Sequence, residues 1–156
     1  MVEQCQEAID MFDEKREGIV KSSATKGLKE IDPDSPILNE DKASIFHSIA
    51  AKMLFITKRG RPDLEPTVQF MCTRVTKSTE QDWIKMRRLM LFLKNTINER
   101  RYIAIKDKGA MFTWVDAAYA VYGNMRSQTG GMWSFGLGAI QTKSSKQKIN
   151  ECVFFF

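Results

Sequence analysis

The stretch FTWVDAAYAV, residues 112–121, sets one acid inside a largely apolar and aromatic run. Phe112, Trp114, Val115, Tyr119 and Val121 favour an extended chain, whereas Asp is depleted from strands. Burying a carboxylate costs several kcal/mol unless something pairs with it. Asp116 is therefore either an acid on the open side of a strand or a ligand for a cation, and its residue type alone leaves both readings standing.

Other chemistry is harder to place. The single histidine, His47, has no Ser or Cys beside it with a third partner, so it reads as a helix-face residue rather than a catalytic base. Cys5, Cys72 and Cys152 are odd in number, far apart and without a C-x-x-C pair, which argues against a disulfide framework and a zinc site. They read as reduced thiols. The formal net charge is +5 and the isoelectric point about 9.2, which suits a polyanionic partner. Basic residues cluster at Lys58, Arg59 and Arg61, then at Lys85, Arg87 and Arg88. Arg100, Arg101, Lys143, Lys146 and Lys148 follow.

The elements that must carry these residues change character along the chain. Residues 2–16 have Val2, Cys5, Ile9 and Phe12 at helical spacing. From Gly18 to about Asp41, with an irregular connector over 22–41, Pro33, Pro36, Gly27 and paired serines argue against regular structure. A loop that long is either a functional connector or a sign that a larger protein has been cut. Three helical segments come next. The first has a stripe of Ile45, Ile49, Met53 and Ile56, widened by Phe46 and Leu54. The second repeats that spacing at Leu64, Val68, Met71 and Val75, with Pro62 in a first turn and Pro66 delaying the start. The third opens at Ser78 and Gln81, at capping-box spacing, and buries Trp83, Met86, Met90, Leu93 and Ile97. Met53, Met71, Met86 and Met90 read as core filling.

After Arg101 the period shortens. Residues 102–106, 111–121 and 130–143 are strand candidates, the last with glycines that mark a bend or bulge. Helices followed by antiparallel strands define an α+β chain or two part-domains. No apolar run reaches the roughly 18 residues of a membrane span, and the N-terminus does not resemble a signal peptide, so the expected setting is intracellular. At 150–156 a basic stretch gives way to ECVFFF. Termini are usually polar or docked, so this is either a tail held in a groove or an out-of-frame or truncated end. The second reading is adopted.

Several stretches, in order, resemble the C-terminal part of a copia-type retrotransposon polyprotein, where the reverse transcriptase runs into its ribonuclease H (RNase H) domain. Arg61, Pro62, Asp63 and Leu64 match an R-P-D-hydrophobic signature. Phe92, Leu93, Lys94, Asn95 and Thr96 stand where the family has Tyr-Leu-Lys-Gly-Thr. Asp116, Ala117, Ala118, Tyr119 and Ala120 stand at an Asp-Ala-Asp-Trp-Ala string, with Ala118 replacing its second acid. Arg126, Ser127, Thr129 and Gly130, then Ser144, Ser145, Lys146 and Gln147, continue the pattern, which covers roughly 45–149.

The resemblance implies a fold and a set of roles. Residues 1–101 become the helical, thumb- or connection-like end of the reverse transcriptase. Residues 102–149 become an incomplete antiparallel RNase H-like sheet, its first three strands. Asp116 becomes the first catalytic carboxylate and an Mg²⁺ ligand, in a chemistry where two ions roughly 4 Å apart activate water and stabilise the leaving oxygen. Arg61, Lys85, Arg87, Arg88, Lys143 and Lys146 become contacts to an RNA–DNA hybrid. The partners implied are that hybrid and the rest of the polyprotein, in the cytoplasm, in retrotransposon particles, or in the nucleus. The parent copies RNA into DNA and hydrolyses RNA in hybrids. The polymerase's paired aspartates and the Glu helix of RNase H have no match here, so activity from this chain alone is not expected. Two rivals remain: a non-enzymatic nucleic-acid-binding module derived from such an element, and a self-sufficient hydrolase using Asp116 with Asp63 or Glu151.

Overall fold

A computed structural model describes residues 1–14, 17–106 and 108–148. The chain divides into two compact units, Met1–Arg100 and the part from Arg101 onward. The first is helical and the second is built from antiparallel strands, so the architecture is α+β.

In the helical unit, α1 runs Val2–Asp10, α2 Glu40–Arg59, α3 Glu65–Cys72 and α4 Glu80–Asn95. The apolar stripes read from the sequence meet in one core. Phe12, Phe46, Ile49, Met53, Ile56, Leu64, Met71, Met86, Met90 and Leu93 are all fully buried. The four methionines of the predicted stripe fill space in that core, as unbranched side chains do between irregular neighbours. Ile45 departs from its expected place and lies on the exposed side of α2, while Phe46 takes the core position.

Three helix boundaries move from where the pattern put them. The first helix stops at Asp10 rather than 16, with Phe12 turned inward against Trp83 at 4.7 Å between ring centroids. Acids at Asp10 and Asp13 and no base in the last turn oppose the helix dipole there. α3 stops at Cys72 because the Thr73 hydroxyl donates back to Phe70 O at 2.7 Å and the chain continues in turns, leaving Val75 outside the helix. Pro62 begins a short 3₁₀ turn, Pro62–Leu64, and Pro66 sits in the first turn of α3, where its missing N–H costs nothing. The α4 capping box uses Thr79 and Asp82, one residue beyond Ser78 and Gln81.

Residues 22–39 of the connector form no helix or strand, as the composition predicts, while Glu40 and Asp41 already open α2, and the segment is tied to α4. Leu38 N donates to Ser78 O, Glu80 N to Pro36 O, and Gln81 N to Ser35 Oγ. Ile37 bridges Thr79, and Leu28 is buried. The segment thus satisfies two of the free backbone donors at the start of α4, Glu80 N and Gln81 N. No helix among the described residues is long and apolar enough to cross a membrane.

In the second unit, β2 (Phe112–Ala118), β3 (Gln128–Ser134) and β5 (Gln141–Lys146) form an antiparallel sheet in the order β2-β3-β5. A two-residue pair joins β1 (Ala104–Ile105) to β4 (Gly136–Leu137). The predicted third strand, 130–143, is therefore three elements. Gly136 and Gly138 divide it, both with positive φ. A Cβ on Gly138 would lie 1.8 Å from Tyr102 O. Gly138→Ala should therefore disrupt the β1–β4 pair at a cost of about 1–2 kcal/mol. Faster amide exchange at Lys106, whose N–H donates to Phe135 O, would report it, while exchange in β2 stays unchanged.

Candidate functional site

The register of the sheet places Asp116. Directly paired residues share a face, so Phe112, Trp114, Asp116 and Ala118 lie with Ser134, Met132, Gly130 and Gln128 of β3. Thr142, Ser144 and Lys146 of β5 complete that face. Asp116 sits opposite Gly130, which sits opposite Ser144. A Cβ on Gly130 would meet nothing closer than Asp116 O at 3.7 Å, so the carboxylate has room beside it. Asp116 is exposed, and its Oδ1 accepts from Ala117 N at 2.8 Å. The acid thus avoids the burial cost that makes it unusual in a strand, and a paired strand holds it in a defined direction.

That arrangement offers one anionic ligand. No group of three His, Cys, Asp or Glu residues that could hold a metal ion occurs among the described residues. The described donor set does not by itself fit a two-ion centre. Asp63 is committed elsewhere, to Arg61, and Glu151 lies outside the described residues, as do Cys152 and the 150–156 tail.

The basic residues divide by unit. Arg61 is buried, donating to Asp63 Oδ1 and Oδ2 at 3.0 and 2.8 Å and to Thr96 O and Oγ1 at 3.0 and 2.8 Å. Burial alone would lower its pKa, but the hydrogen bond and charge of Asp63, with Glu99, outweigh it and raise it. The R-P-D segment therefore anchors the end of α4, and Arg61 is not presented to a phosphate. Lys85 is half-buried beside the Phe70 ring and donates to Glu30 O, and burial lowers its pKa. Arg87 is exposed, 3.9 Å from Glu14 Oε2, and Arg88 is half-buried. Lys58 pairs with the buried Glu65, and Arg59 lies over the Phe55 ring.

In the sheet unit, Lys143 is exposed on the face opposite Asp116. Lys146 shares the Asp116 face and sits 4.2 Å from the Tyr122 ring centroid. Tyr122 in turn hydrogen-bonds Gln128 through its hydroxyl. Arg101 donates to Ala139 O, and Lys148 is exposed. His47 is exposed on α2, as a helix-face residue should be. Cys5 and Cys72 are free thiols whose pKa values burial raises, which lowers their reactivity.

The distribution of charge adds what the total did not reveal. Residues 1–100 carry seventeen Lys or Arg against sixteen Asp or Glu, while 101–148 carry seven against two. The positive excess thus falls in the sheet unit. Sequence reasoning also missed Asp82, a fully buried carboxylate held by Thr79 and Arg74, and the bond from Trp83 Nε1 to Glu14 Oε1 at 2.6 Å. A T-x-x-D step just before an apolar run was the available signal for the first.

No family model matches this chain, and no curated protein or solved structure does.

Proposed function

We propose that the chain is part of a copia-type retrotransposon polyprotein, comprising terminal helices of the reverse transcriptase and the opening strands of its RNase H domain. The observation that carries this reading is Asp116: an exposed carboxylate on a paired strand, opposite a glycine, in an antiparallel sheet that follows a helical unit. In the parent, Asp116 would be one of several carboxylates that together hold Mg²⁺, and the ion would supply the charge that polarises a phosphate and lowers the pKa of water. Alone, this chain contributes one ligand and cleaves no RNA.

Sequencing the genomic DNA on both sides tests the family assignment. Paired polymerase aspartates upstream and the Glu-bearing RNase H helix downstream, in any frame, support it. Their absence sinks it. The role of Asp116 has its own test in the whole chain. Added Mn²⁺ should broaden the amide resonances around Asp116 with a midpoint at or above about 1 mM, as befits a single carboxylate. Asp116→Asn should abolish that broadening. Unchanged broadening in the variant would remove Asp116 from the metal site.

A second reading, a non-enzymatic nucleic-acid-binding module, is favoured by the charge distribution. The helical unit is close to neutral and rich in internal ion pairs, whereas 101–148 has a net charge of +5. It predicts binding of an RNA–DNA hybrid that weakens steeply with salt.

A further inference from the structure

We propose that the Phe112–Trp114 face of the sheet is a stacking surface for unpaired bases, so that the nucleic acid recognised by this unit is single-stranded. The proposal rests on the nucleic-acid-binding reading above and adds which form is bound and through which side chains.

The face is unlike a core surface. Trp114 is 49% exposed, Phe112 42% and Met132 36%. Around them on the same face stand Asp116, Gln128, Gly130, Thr142, Ser144 and Lys146. A sheet face buried against a helix or a second sheet is rich in Val, Ile and Leu, and this one has none. The opposite face mixes Val115 and Trp133 with Thr113, Thr129, Gln141 and Lys143, and Val115 too is exposed. An apolar protein partner is therefore poorly matched.

Two observations favour a nucleic acid, and one of them favours unpaired bases. The unit has a net charge of +5 over 101–148, which complements a phosphate chain. Cations stand at both ends of the aromatic row. Lys146 lies beyond Asp116, and the exposed Lys106, just past β1, donates its N–H to Phe135 O, next to the Ser134 that is paired with Phe112. Phosphates could thus be held at either end while bases cross the rings. The Phe112 and Trp114 rings lie 6.1 Å apart at 27°, forming one broad aromatic surface. A duplex keeps its base faces stacked internally and offers nothing to such a surface, whereas an unpaired base exposes a π-face to it.

The experiment uses the whole chain in EDTA, so that its outcome does not depend on a metal at Asp116. Labelled oligothymidylate of about 16 nucleotides is compared with a duplex and an RNA–DNA hybrid of equal length. The single strand should bind more tightly and quench tryptophan fluorescence. Trp114→Ala should weaken single-strand binding by about tenfold or more, with little change for the duplex. Trp114→Phe should keep most of the affinity and lose most of the quenching. Phe112→Ala, also at an exposed position, repeats the test if Trp114→Ala loses its circular dichroism spectrum. Quenching that is absent in the wild type, or equal binding by wild type and the alanine variants, overturns the proposal. Hybrid binding with no Trp114 dependence overturns it while leaving the nucleic-acid reading intact. Self-association that depends on Trp114, without oligonucleotide binding, makes the face a protein interface and overturns both.

Discussion

Arg61→Ala should destabilise the helical unit by about 3 kcal/mol, a large fraction of the stability of a unit this size. The side chain is only 8% exposed and donates four hydrogen bonds, two to Asp63 and two to Thr96. Truncation removes all four bonds at once, including one of the two that the half-buried Thr96 carbonyl accepts, the other coming from Glu99 N, and hydrogen bonds to charged groups contribute about 1.5–3 kcal/mol. It also releases the α2–α3 turn from α4. Arg61→Lys should recover little, because one ammonium cannot span Asp63 and Thr96 as the planar guanidinium does. Asp63→Asn should cost less, since Asp63 is 42% exposed and can be hydrated. Amide exchange at Leu89 and Met90, in the buried middle of α4, reads this unit without interference from the sheet. Arg61→Ala with unchanged exchange there would show that the cluster is only a surface ornament of the fold.

This result bears on how the R-P-D segment is read. From sequence, a basic residue next to Lys58 and Arg59 looks like part of a phosphate-binding patch. In the fold, a neighbouring acid two residues on captures it, and the hydroxyl of Thr96 completes the cradle. A charge cluster in sequence does not reveal which member turns inward, because that depends on a partner 35 residues away. The same holds for Lys85, whose ammonium lies over the Phe70 ring. Lys143 and Arg87, with exposed side chains, keep the surface placement that a nucleic-acid contact needs.

Other features were legible because they depend on local rules. The stripes at Ile49, Met53 and Ile56 and at Met86, Met90 and Leu93 follow from the helical repeat and become the core. The change of period after Arg101 becomes the sheet. What the local rules could not supply was register. Whether 130–143 is one strand or three was decided around Gly138, which the Tyr102 carbonyl approaches from the segment just before β1. Asp116 is open to solvent because the whole of β2 is exposed, on both faces, which alternation along the strand does not foretell. The irregular connector was recognised by its prolines and serines, but its attachment to α4 lies in long-range bonds that composition does not encode.

Asp82→Ala should damage the helical unit more than Arg61→Ala does, at about 4 kcal/mol. Asp82 has no exposed surface, and its Oδ2 accepts from Thr79 N and Oγ1, both at 3.1 Å, and from Arg74 Nε at 3.0 Å. One carboxylate oxygen thus closes the α4 cap and neutralises a guanidinium that is itself only 14% exposed. Alanine removes the cap, worth about 1 kcal/mol, and leaves the buried cation without its counterion, which is the larger penalty. The pair need not be a net stabiliser for this to hold, since removing one partner exposes the desolvation cost of the other. Asp82→Asn separates the two contributions. Its amide oxygen can take the place of Oδ2 and keep the cap, but it carries no charge. Its NH₂ would occupy the place of Oδ1, which has no hydrogen-bond partner among the described residues, and would be unsatisfied there too. Asn should therefore fall between wild type and Ala. In Arg74→Met the buried cation is gone, so Asp82→Ala in that background should cost clearly less than in the wild type. Equal costs in both backgrounds would mean that Asp82 acts through the helix cap alone.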